Sequence, residues 1–368
     1  MAASLVTGCS ESAPRETRPA IINHAANPNA RGLAIGDSFF GLSEAEIAKR
    51  LDKIKALGTI IRLDFDWAQI QPDKKDSYKW DETDHIVAAA KKRGIAVLAM
   101  VGFAPTWARD PACVKDYGCA PHDPTEFATF AGAVAEHYKD DVGEFEIWNE
   151  PNIETFFAQG PNAIRYAHML SLASAAIKAA VPDAKVASGG LAPAYDDGKN
   201  IAPVTFLRQM YAAGAGTMDA VALHPYSYPA TPKQDKPWSA FTQIEGGNGP
   251  TDIPTIHGIM AANGNADKEV WLTEYGAPTG GSGKEATLQD QHFDDFDSVP
   301  GSFVSPALQA AMIDQYLHYD FKDTKVTMRL VYTLADRRAV GASKDPEDYF
   351  GVYQSNGTPK KAVSVFKR

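Results

Sequence analysis

The chain alternates between strand-like and helix-like segments along almost its whole length, and this alternation restricts the folds that it can adopt. Eight short segments with strand character are each followed by a segment in which apolar residues recur at helical spacing. Residues 95–101 are apolar without interruption, as expected for a strand whose two faces are both buried in a parallel sheet. We therefore predict an α/β protein that folds as a single (β/α)8 TIM barrel.

A doubly wound open sheet is the alternative, but no Gly-x-Gly-x-x-Gly motif follows the first strand and the sequence has no P-loop. The predicted strands cover residues 33–36, 59–67, 95–101, 144–148, 185–188, 220–223, 269–273 and 326–333. The predicted helices cover residues 43–57, 83–93, 125–138, 161–180, 202–213, 254–262, 305–322 and 360–366.

The long connections follow strands, which in a barrel places them on the catalytic face and predicts a substrate cleft. They comprise residues 68–82, 102–124, 225–253, 277–304 and 335–359. Residues 290–297 are strongly polar, and we expect a solvated lid there. A calcium site is the alternative, but the spacing of its acids lacks an EF-hand pattern.

Composition narrows the classes of partner. The net charge is -10 and no Lys/Arg cluster is present, which argues against nucleic acid and anionic lipid surfaces. No segment approaches the ~20 apolar residues of a membrane span. We expect a monomer without a cofactor that binds a neutral or cationic ligand.

The first 30 residues predict a tether or lead-in, followed by the barrel over residues 31–368. Leu5-Val-Thr-Gly-Cys9 resembles the end of a bacterial lipoprotein signal, in which the cysteine after Leu-x-x-Gly is lipidated. We therefore expect an exported protein that is periplasmic, cell-surface or extracellular, with a lipid anchor at Cys9. The alternative is a tail with a chance cysteine.

Cys113 and Cys119 lie in a loop that also contains Pro111 and Gly118. A small disulfide loop there would suit an oxidising compartment. Two free thiols are the alternative, and no His/Cys arrangement with zinc spacing accompanies them.

Polar and aromatic residues occupy the carboxyl ends of six of the eight predicted strands, which converge on one site. Glu150 follows the fourth strand and Glu274 ends the seventh. Hydrolysis of a glycosidic bond requires such a pair, with one acid to protonate the leaving oxygen and one carboxylate on the opposite face. The candidate binding residues around them are Arg62, Asp64, Trp67, Trp107, Trp148, Asn149, His224, Tyr226, Tyr275 and Tyr332.

The surroundings of the two glutamates suggest different protonation states. Apolar neighbours of Glu150 would raise its pKa, whereas Arg62 would pair with Glu274 and keep the pKa of that nucleophile low. Asn149 is placed to bind a sugar 2-hydroxyl. The aromatic residues would offer faces to sugar rings: Trp67, Trp107, Trp148, Tyr226 and Tyr275.

Each of these assignments has a structural alternative. Glu150 could cap a strand or pair with an arginine, Arg62 and Asp64 could form an ion pair inside the barrel, and His224 could belong to a packed turn. The tryptophans could be core residues.

Three motifs resemble those of the retaining glycoside hydrolases of clan A: Trp-Asn-Glu-Pro-Asn at 148–152, His-Pro-Tyr at 224–226 and Leu-Thr-Glu-Tyr-Gly at 272–276. Ile-Arg-Leu-Asp-Phe-Asp-Trp-Ala-Gln-Ile-Gln-Pro at 61–72 is most similar to family 39. That family includes β-xylosidases, α-L-iduronidases and a bacterial exopolysaccharide hydrolase.

The resemblance implies that Glu150 is the acid/base and Glu274 the nucleophile, with Asn149 as the 2-hydroxyl partner. It also implies that His224 and Tyr226 support the nucleophile. The chain departs from the clan at the eighth strand, where Tyr332-Thr-Leu stands in place of a tryptophan platform. The accessory β-sandwich of the family xylosidases has no room in this chain, and a lone barrel is more similar to the bacterial exopolysaccharide hydrolase. That resemblance implies an open groove and endo cleavage of a bacterial surface or extracellular polysaccharide.

The alternatives are an exo-acting β-xylosidase or β-glycosidase and a non-catalytic polysaccharide-binding barrel. A binding barrel would not need both glutamates. A metal-dependent hydrolase is disfavoured because His224 is the single histidine at a predicted strand end and such sites use several ligands. We therefore predict no metal.

Overall fold

A computed structural model describes residues 29–74, 77–115, 117–233, 240–244, 254–291, 302–322 and 324–367. Its main strands are β1 Ala30–Gly36, β2 Ile60–Asp66, β3 Ala96–Gly102, β4 Glu144–Asn149, β5 Lys185–Gly190, β6 Ala220–Leu223 and β7 Glu269–Leu272. Two short strands, β8 Glu285–Ala286 and β9 Phe303–Val304, pair with each other outside the barrel, and β10 Val326–Tyr332 is its eighth strand.

The eight long strands close into a barrel in the order β1-β10-β7-β6-β5-β4-β3-β2, and every neighbouring pair is parallel. The predicted (β/α)8 TIM barrel is confirmed. Its closure brings all eight carboxyl ends to one face, so residues far apart in sequence share a single site.

Helices alternate with the barrel strands, and side-chain caps mark where several of them begin. The helices are α1 Glu44–Lys55, α2 Trp67–Ile70, α3 Asp81–Lys91, α4 Pro124–His137, α5 Ala163–Ala180, α6 Pro203–Ala212, α7 Ala240–Ile244, α8 Ile256–Ala262 and α9 Pro306–Leu317. Ser43, Asp123, Asn162, Thr255 and Ser305 each accept a backbone hydrogen bond at a helix start, which satisfies a donor that the helix itself leaves free.

The end of β2 differs from the prediction. The predicted strand ran through residue 67, but the Asp66 carboxylate accepts hydrogen bonds from Ala68 N and Gln69 N at 2.8 and 3.2 Å and starts α2. Trp67 is therefore the first residue of a helical turn. The predicted last helix is a 3-10 helix, Lys361–Lys367.

Two apolar layers hold the barrel. One lies between strands and helices, and the other fills the barrel interior with small side chains and a few large ones. The interior layer comprises Ala30, Ala34, Ile60, Ala96, Leu98, Ala187, Ala220, Ala222, Trp271, Met328 and Leu330. The barrel is therefore a packed core rather than a pore, and the space for a ligand lies at its mouth.

Some sequence predictions lie outside the described residues. They include Cys9, nearly all of the lead-in and most of the polar segment 290–297. Among the described residues, no helix has the length and apolar character needed to cross a membrane. Cys113 and Cys119, left open by the sequence, form a disulfide with their Cα atoms 5.9 Å apart.

Candidate active site

Arg62 is the structural centre of the site. It lies within β2, is 2% exposed, and donates hydrogen bonds to side chains from two other strand ends. Its Nε and Nη2 bind both oxygens of Glu146 at 3.1 and 2.9 Å, its Nη1 binds Glu274 Oε1 at 2.6 Å, and its Nη2 also binds Asn149 Oδ1 at 2.8 Å. A buried cation is strongly unfavourable without such partners. Arg62 therefore fixes the positions of three polar side chains at once.

Glu274, two residues after β7, accepts two hydrogen bonds. Besides Arg62 on Oε1, the Tyr226 hydroxyl donates to Oε2 at 2.9 Å. Burial alone would raise the pKa of Glu274, but the charges of His224 and Arg62 and these hydrogen bonds outweigh it and hold the pKa below that of an ordinary glutamate. The contact predicted between Arg62 and Glu274 is present, and it favours an ionised carboxylate.

Glu150, immediately after β4, has different surroundings. Its Oε1 shares a hydrogen bond of 2.8 Å with His224 Nδ1. Burial raises the pKa of Glu150 above 4.5, although the hydrogen bond and the charge of His224 oppose that rise. Glu150 does not pair with an arginine among the described residues. Its environment favours a carboxyl group that holds a proton.

The backbone at the end of β4 adopts a rare conformation. Trp148 and Glu150 have φ angles of 72° and 44°, in the left-handed region that non-glycine residues seldom occupy. Consecutive residues of a regular strand point to opposite faces. Here Asn149 and Glu150 both reach the site, since one contacts Arg62 and the other contacts His224.

His224, which follows β6, is fully buried between the acids. Its hydrogen bond goes to Glu150, whereas Glu274 Oε2 lies 3.8 Å from Nδ1, so its main contact is not with the predicted nucleophile. Burial lowers the pKa of His224, but the charges of Glu274 and Glu150 outweigh burial and raise it. A Cβ on Gly190 would collide with the imidazole, so this packing requires glycine at the end of β5.

The two candidate carboxylates are close together. One oxygen of Glu150, one oxygen of Glu274 and a ring nitrogen of His224 all lie within 4.8 Å of one another. A metal ion bound by these three residues would have to replace the hydrogen bonds that Arg62 and Tyr226 donate to Glu274. It would also have to replace the hydrogen bond between His224 and Glu150. The donor set therefore suits proton transfer better than metal ligation.

Three of the predicted aromatic platforms are core residues, so the prediction that they face a ligand is wrong. Trp67, turned inward by α2, stacks on a phenylalanine of α4 at 5.4 Å. Trp148 Nε1 donates to a backbone carbonyl at 2.7 Å, and the Tyr275 ring stacks on Tyr316 at 4.3 Å. All three side chains are fully buried. For Trp67 and Trp148 this is the alternative in which the tryptophans are core residues.

Three other predicted aromatics are partly exposed at the mouth. Trp107 follows β3 and donates from Nε1 to Gln71 O at 3.1 Å. Tyr226 follows β6, and Tyr332 ends β10 with its hydroxyl accepting from Arg337 Nη2 at 2.9 Å. These rings remain candidates for contact with a ligand.

Asp64 lies two residues after Arg62 on β2. The alternative of an ion pair between them is wrong, since Arg62 binds Glu146, Glu274 and Asn149 instead. Asp64 Oδ1 is buried without a hydrogen-bond partner. Burial raises the pKa of Asp64 to about 8, against the lowering effect of Arg62.

Glu146 is a residue that the sequence prediction missed. It is fully buried in β4 and binds Arg62 through both oxygens. The sequence did contain a signal for Glu146. Residues two apart in a strand lie on the same face, so Glu144 and Glu146 share one face of β4, and a buried acid there requires a cation as partner.

Comparison with known proteins gives fold-level matches. No protein-family model matches the chain, and no curated protein matches it in sequence. A family 39 glycoside hydrolase from the gut symbiont Bacteroides cellulosilyticus WH2 matches 95% of this chain with a TM-score of 0.66 and 20% identity. The chain spans 64% of that protein's length.

Two further solved structures are similar. A monomeric β-xylosidase from Caulobacter crescentus CB15 matches 93% of this chain and 69% of its own, with a TM-score of 0.60 and 18% identity. Xylanase 10B from Thermotoga petrophila RKU-1, in complex with xylobiose, matches 96% and 97% of the two chains, with a TM-score of 0.58 and 14% identity. The resemblance to family 39 is thus confirmed at the level of the fold.

Proposed function

We propose that this chain is a retaining glycoside hydrolase in which Glu150 is the acid/base and Glu274 is the nucleophile. The observation that carries the proposal is the pair itself. One carboxylate oxygen of Glu150 and one of Glu274 lie within 4.8 Å of each other. Burial raises the pKa of Glu150, whereas the charges of His224 and Arg62 help to lower the pKa of Glu274. Retaining enzymes place their carboxyl groups ~5–5.5 Å apart, and inverting enzymes leave ~6.5–9.5 Å for a water molecule.

In the first step, ionised Glu274 attacks the anomeric carbon while Glu150 donates its proton to the leaving glycosidic oxygen. The C–O bond breaks and a covalent glycosyl ester forms on Glu274. Arg62 and Tyr226 hold the attacking carboxylate through one hydrogen bond to each oxygen. Asn149 turns its carbonyl oxygen to Arg62, which leaves its amide nitrogen to donate to a sugar hydroxyl.

In the second step, Glu150 acts as a base. Its carboxylate takes a proton from water, the water oxygen attacks the anomeric carbon, and the ester bond to Glu274 breaks. His224 shares a hydrogen bond with Glu150, so it can stabilise the carboxylate that Glu150 becomes between the two steps. Glu150 ends protonated, ready for the next cycle.

We further propose that the substrate is a polysaccharide or oligosaccharide and that cleavage is internal. Partly exposed Trp107 and Tyr332 lie at the ends of different strands, which supports a site that contacts more than one sugar. The xylanase and the β-xylosidase among the similar structures make xylose-containing chains a first class to test. Exo cleavage of a terminal sugar is the alternative.

Export, with a lipid anchor at Cys9, remains part of the proposal. The disulfide between Cys113 and Cys119 supports it, because disulfides persist in oxidising compartments and are rare in the cytosol.

The test is hydrolysis of a panel of aryl glycosides, together with xylan and bacterial cell-wall and biofilm polysaccharides. Glu274→Gln should abolish cleavage, and Glu150→Ala should slow mainly substrates with poor leaving groups. Glu136→Gln on α4 is a matched control away from the site and should behave as wild type. Full activity in Glu274→Gln contradicts the mechanism, while long products rather than single sugars distinguish endo from exo cleavage.

A non-catalytic polysaccharide-binding barrel is the second candidate. It would bind the same glycans without cleaving them, and Glu274→Gln would leave it unchanged. The opposite pKa shifts of Glu150 and Glu274 support the enzyme, because binding alone does not require them.

A further inference from the structure

Tyr117 lies in the loop that follows β3, near enough to Glu274 for that charge to act on its hydroxyl, and the catalytic proposal leaves Tyr117 without a role. Its ring packs on Phe103, at the end of β3, with 4.7 Å between the centroids. It also meets Phe156, in the segment that follows Glu150, edge-on at 5.6 Å. Tyr117 therefore lies over the gap between the loops that follow β3 and β4.

Tyr117 is partly exposed to solvent although its ring contacts two phenylalanines. The residue is 47% exposed, whereas Trp67, Trp148 and Tyr275 are fully buried. A tyrosine ring has a flat apolar face and a polar hydroxyl, a combination that suits sugar rings, which have both apolar C–H faces and hydroxyl groups. Tyr117 thus offers what the buried aromatics cannot.

Covalent and backbone contacts hold Tyr117 in place. The disulfide closes residues 113–119 into a small loop, and Gly118 O accepts a hydrogen bond from Ala158 N at 2.8 Å. Gly118 has a φ of 78°, and a Cβ there would collide with the Thr155 carbonyl oxygen, so glycine is required for this close approach. An aromatic ring fixed in advance loses little conformational entropy when it binds a ligand.

Carboxylates dominate the charge around the ring. Partial burial raises the pKa of the Tyr117 hydroxyl, and the charges of Asp66, Asp37 and Glu274 raise it further, whereas Asp64 holds a proton near neutral pH. Two cations in the segment that follows β3 form hydrogen bonds with backbone carbonyl groups. Arg109 donates to Ala104 O, and Lys115 donates to Glu154 O. A negatively charged sugar would be repelled at this position, and a neutral or amino sugar would not.

We infer that Tyr117 is a specificity-determining residue of the cleft, that its ring stacks on a neutral or amino sugar bound beside the reacting one, and that the Cys113–Cys119 disulfide holds it there. This inference rests on the proposed glycosidase function. It adds a binding residue, a role for the disulfide and the exclusion of uronic acids.

Binding can be measured without turnover in the Glu274→Gln background, by calorimetry with xylohexaose, chitosan hexaose and hexagalacturonate. Tyr117→Ala should weaken binding of the best neutral or amino oligosaccharide about tenfold, which corresponds to ~1.4 kcal/mol. Tyr117→Phe should stay close to the parent affinity. Val114→Ala is the matched control, because Val114 lies in the same loop and is 93% exposed. Replacing both cysteines with serine should weaken binding in the same direction as Tyr117→Ala.

The outcomes separate the two proposals. Equal affinity in Tyr117→Ala and its parent overturns the role of Tyr117 and leaves the catalytic mechanism standing. Tighter binding of hexagalacturonate than of the neutral chain overturns the charge selection. A wild-type protein that binds oligosaccharides through Tyr117 but cleaves no member of the glycoside and polysaccharide panel overturns the proposed function alone, and one that cleaves the panel but binds none of the three oligosaccharides overturns the inference about Tyr117 alone.

Discussion

Glu150 and Glu274 have identical side chains, but their surroundings favour opposite protonation states of the carboxyl group. Arg62 and Tyr226 each occupy one oxygen of Glu274, whereas Glu150 contacts a buried histidine that itself faces both acids. The different protonation states favoured at the two carboxyl groups are therefore set by neighbours from β2 and from the segment after β6.

These pKa directions predict a bell-shaped dependence of kcat/KM on pH. Glu274 must be ionised, and because its pKa is lowered, the acid limb should lie on the acid side of an ordinary glutamate's titration. Glu150 must be protonated, and because its pKa is raised, the alkaline limb should lie on the alkaline side of an ordinary glutamate's titration. Since the two acids and His224 titrate together, the limbs report the group as a whole. With an activated aryl glycoside, Glu150→Ala should remove the alkaline limb, and an unchanged limb would contradict its assignment.

Arg62→Leu should be strongly destabilising, because it leaves Glu146 and Glu274 buried without their cation. Breaking a buried ion pair in this way costs about 3–5 kcal/mol. The free energy of unfolding in urea measures the loss, and Arg62→Leu combined with Glu146→Leu should recover part of it. A loss below ~1 kcal/mol in the single variant would contradict the central structural role of Arg62.

Asp64 gives a pH-dependent prediction of stability. Its pKa is raised from 3.8 to about 8 in the folded state, so between these values the folded protein holds a proton that the unfolded chain releases. Its contribution to stability therefore falls as pH rises from about 4 to 8. Asp64→Asn should flatten this decline in unfolding free energy and stabilise the protein at pH 7. A steeper decline in Asp64→Asn than in wild type would contradict it.

At the scale of elements, the carboxyl ends of the strands position the site. Local backbone features, such as a helix cap or a left-handed residue, decide which way the side chains there point. Period-two and helical spacing were enough to predict every barrel strand and the convergence of Glu150, Glu274 and Arg62. They could not predict the Asp66 cap or the left-handed backbone at Trp148. For that reason, Trp67 and Trp148, which were predicted to face a ligand, are buried.

Gly190 tests how the end of β5 positions His224. Gly190→Ala would push the imidazole away from Glu150, so kcat should fall and the alkaline limb of the pH profile should move. Gly216→Ala is the control, since a Cβ there meets nothing closer than 3.8 Å. An unchanged pH profile in a folded Gly190→Ala protein would show that His224 does not set the pKa of Glu150.

At the scale of the whole molecule, barrel closure brings Glu150, just after the fourth strand, and Glu274, after the seventh, into one site. The sequence predicted this fold from periodicity, because strict alternation leaves few other arrangements. It predicted that Glu150 and Glu274 lie close together, but not the contacts of Glu146, Tyr117 or His224, since those depend on three-dimensional packing. The fold matches alone do not specify the sugar.

Covalent trapping of the glycosyl-enzyme tests most directly whether Glu274 is the nucleophile. A 2-deoxy-2-fluoro derivative of the best aryl glycoside should react once, because fluorine slows both formation and hydrolysis of the glycosyl-enzyme, while an activated leaving group keeps formation fast enough for the ester to accumulate. Mass spectrometry of the intact protein and of its peptides should then find one sugar, attached to Glu274. An adduct on another residue, or hydrolysis of the parent glycoside with inversion at the anomeric carbon, would contradict the account.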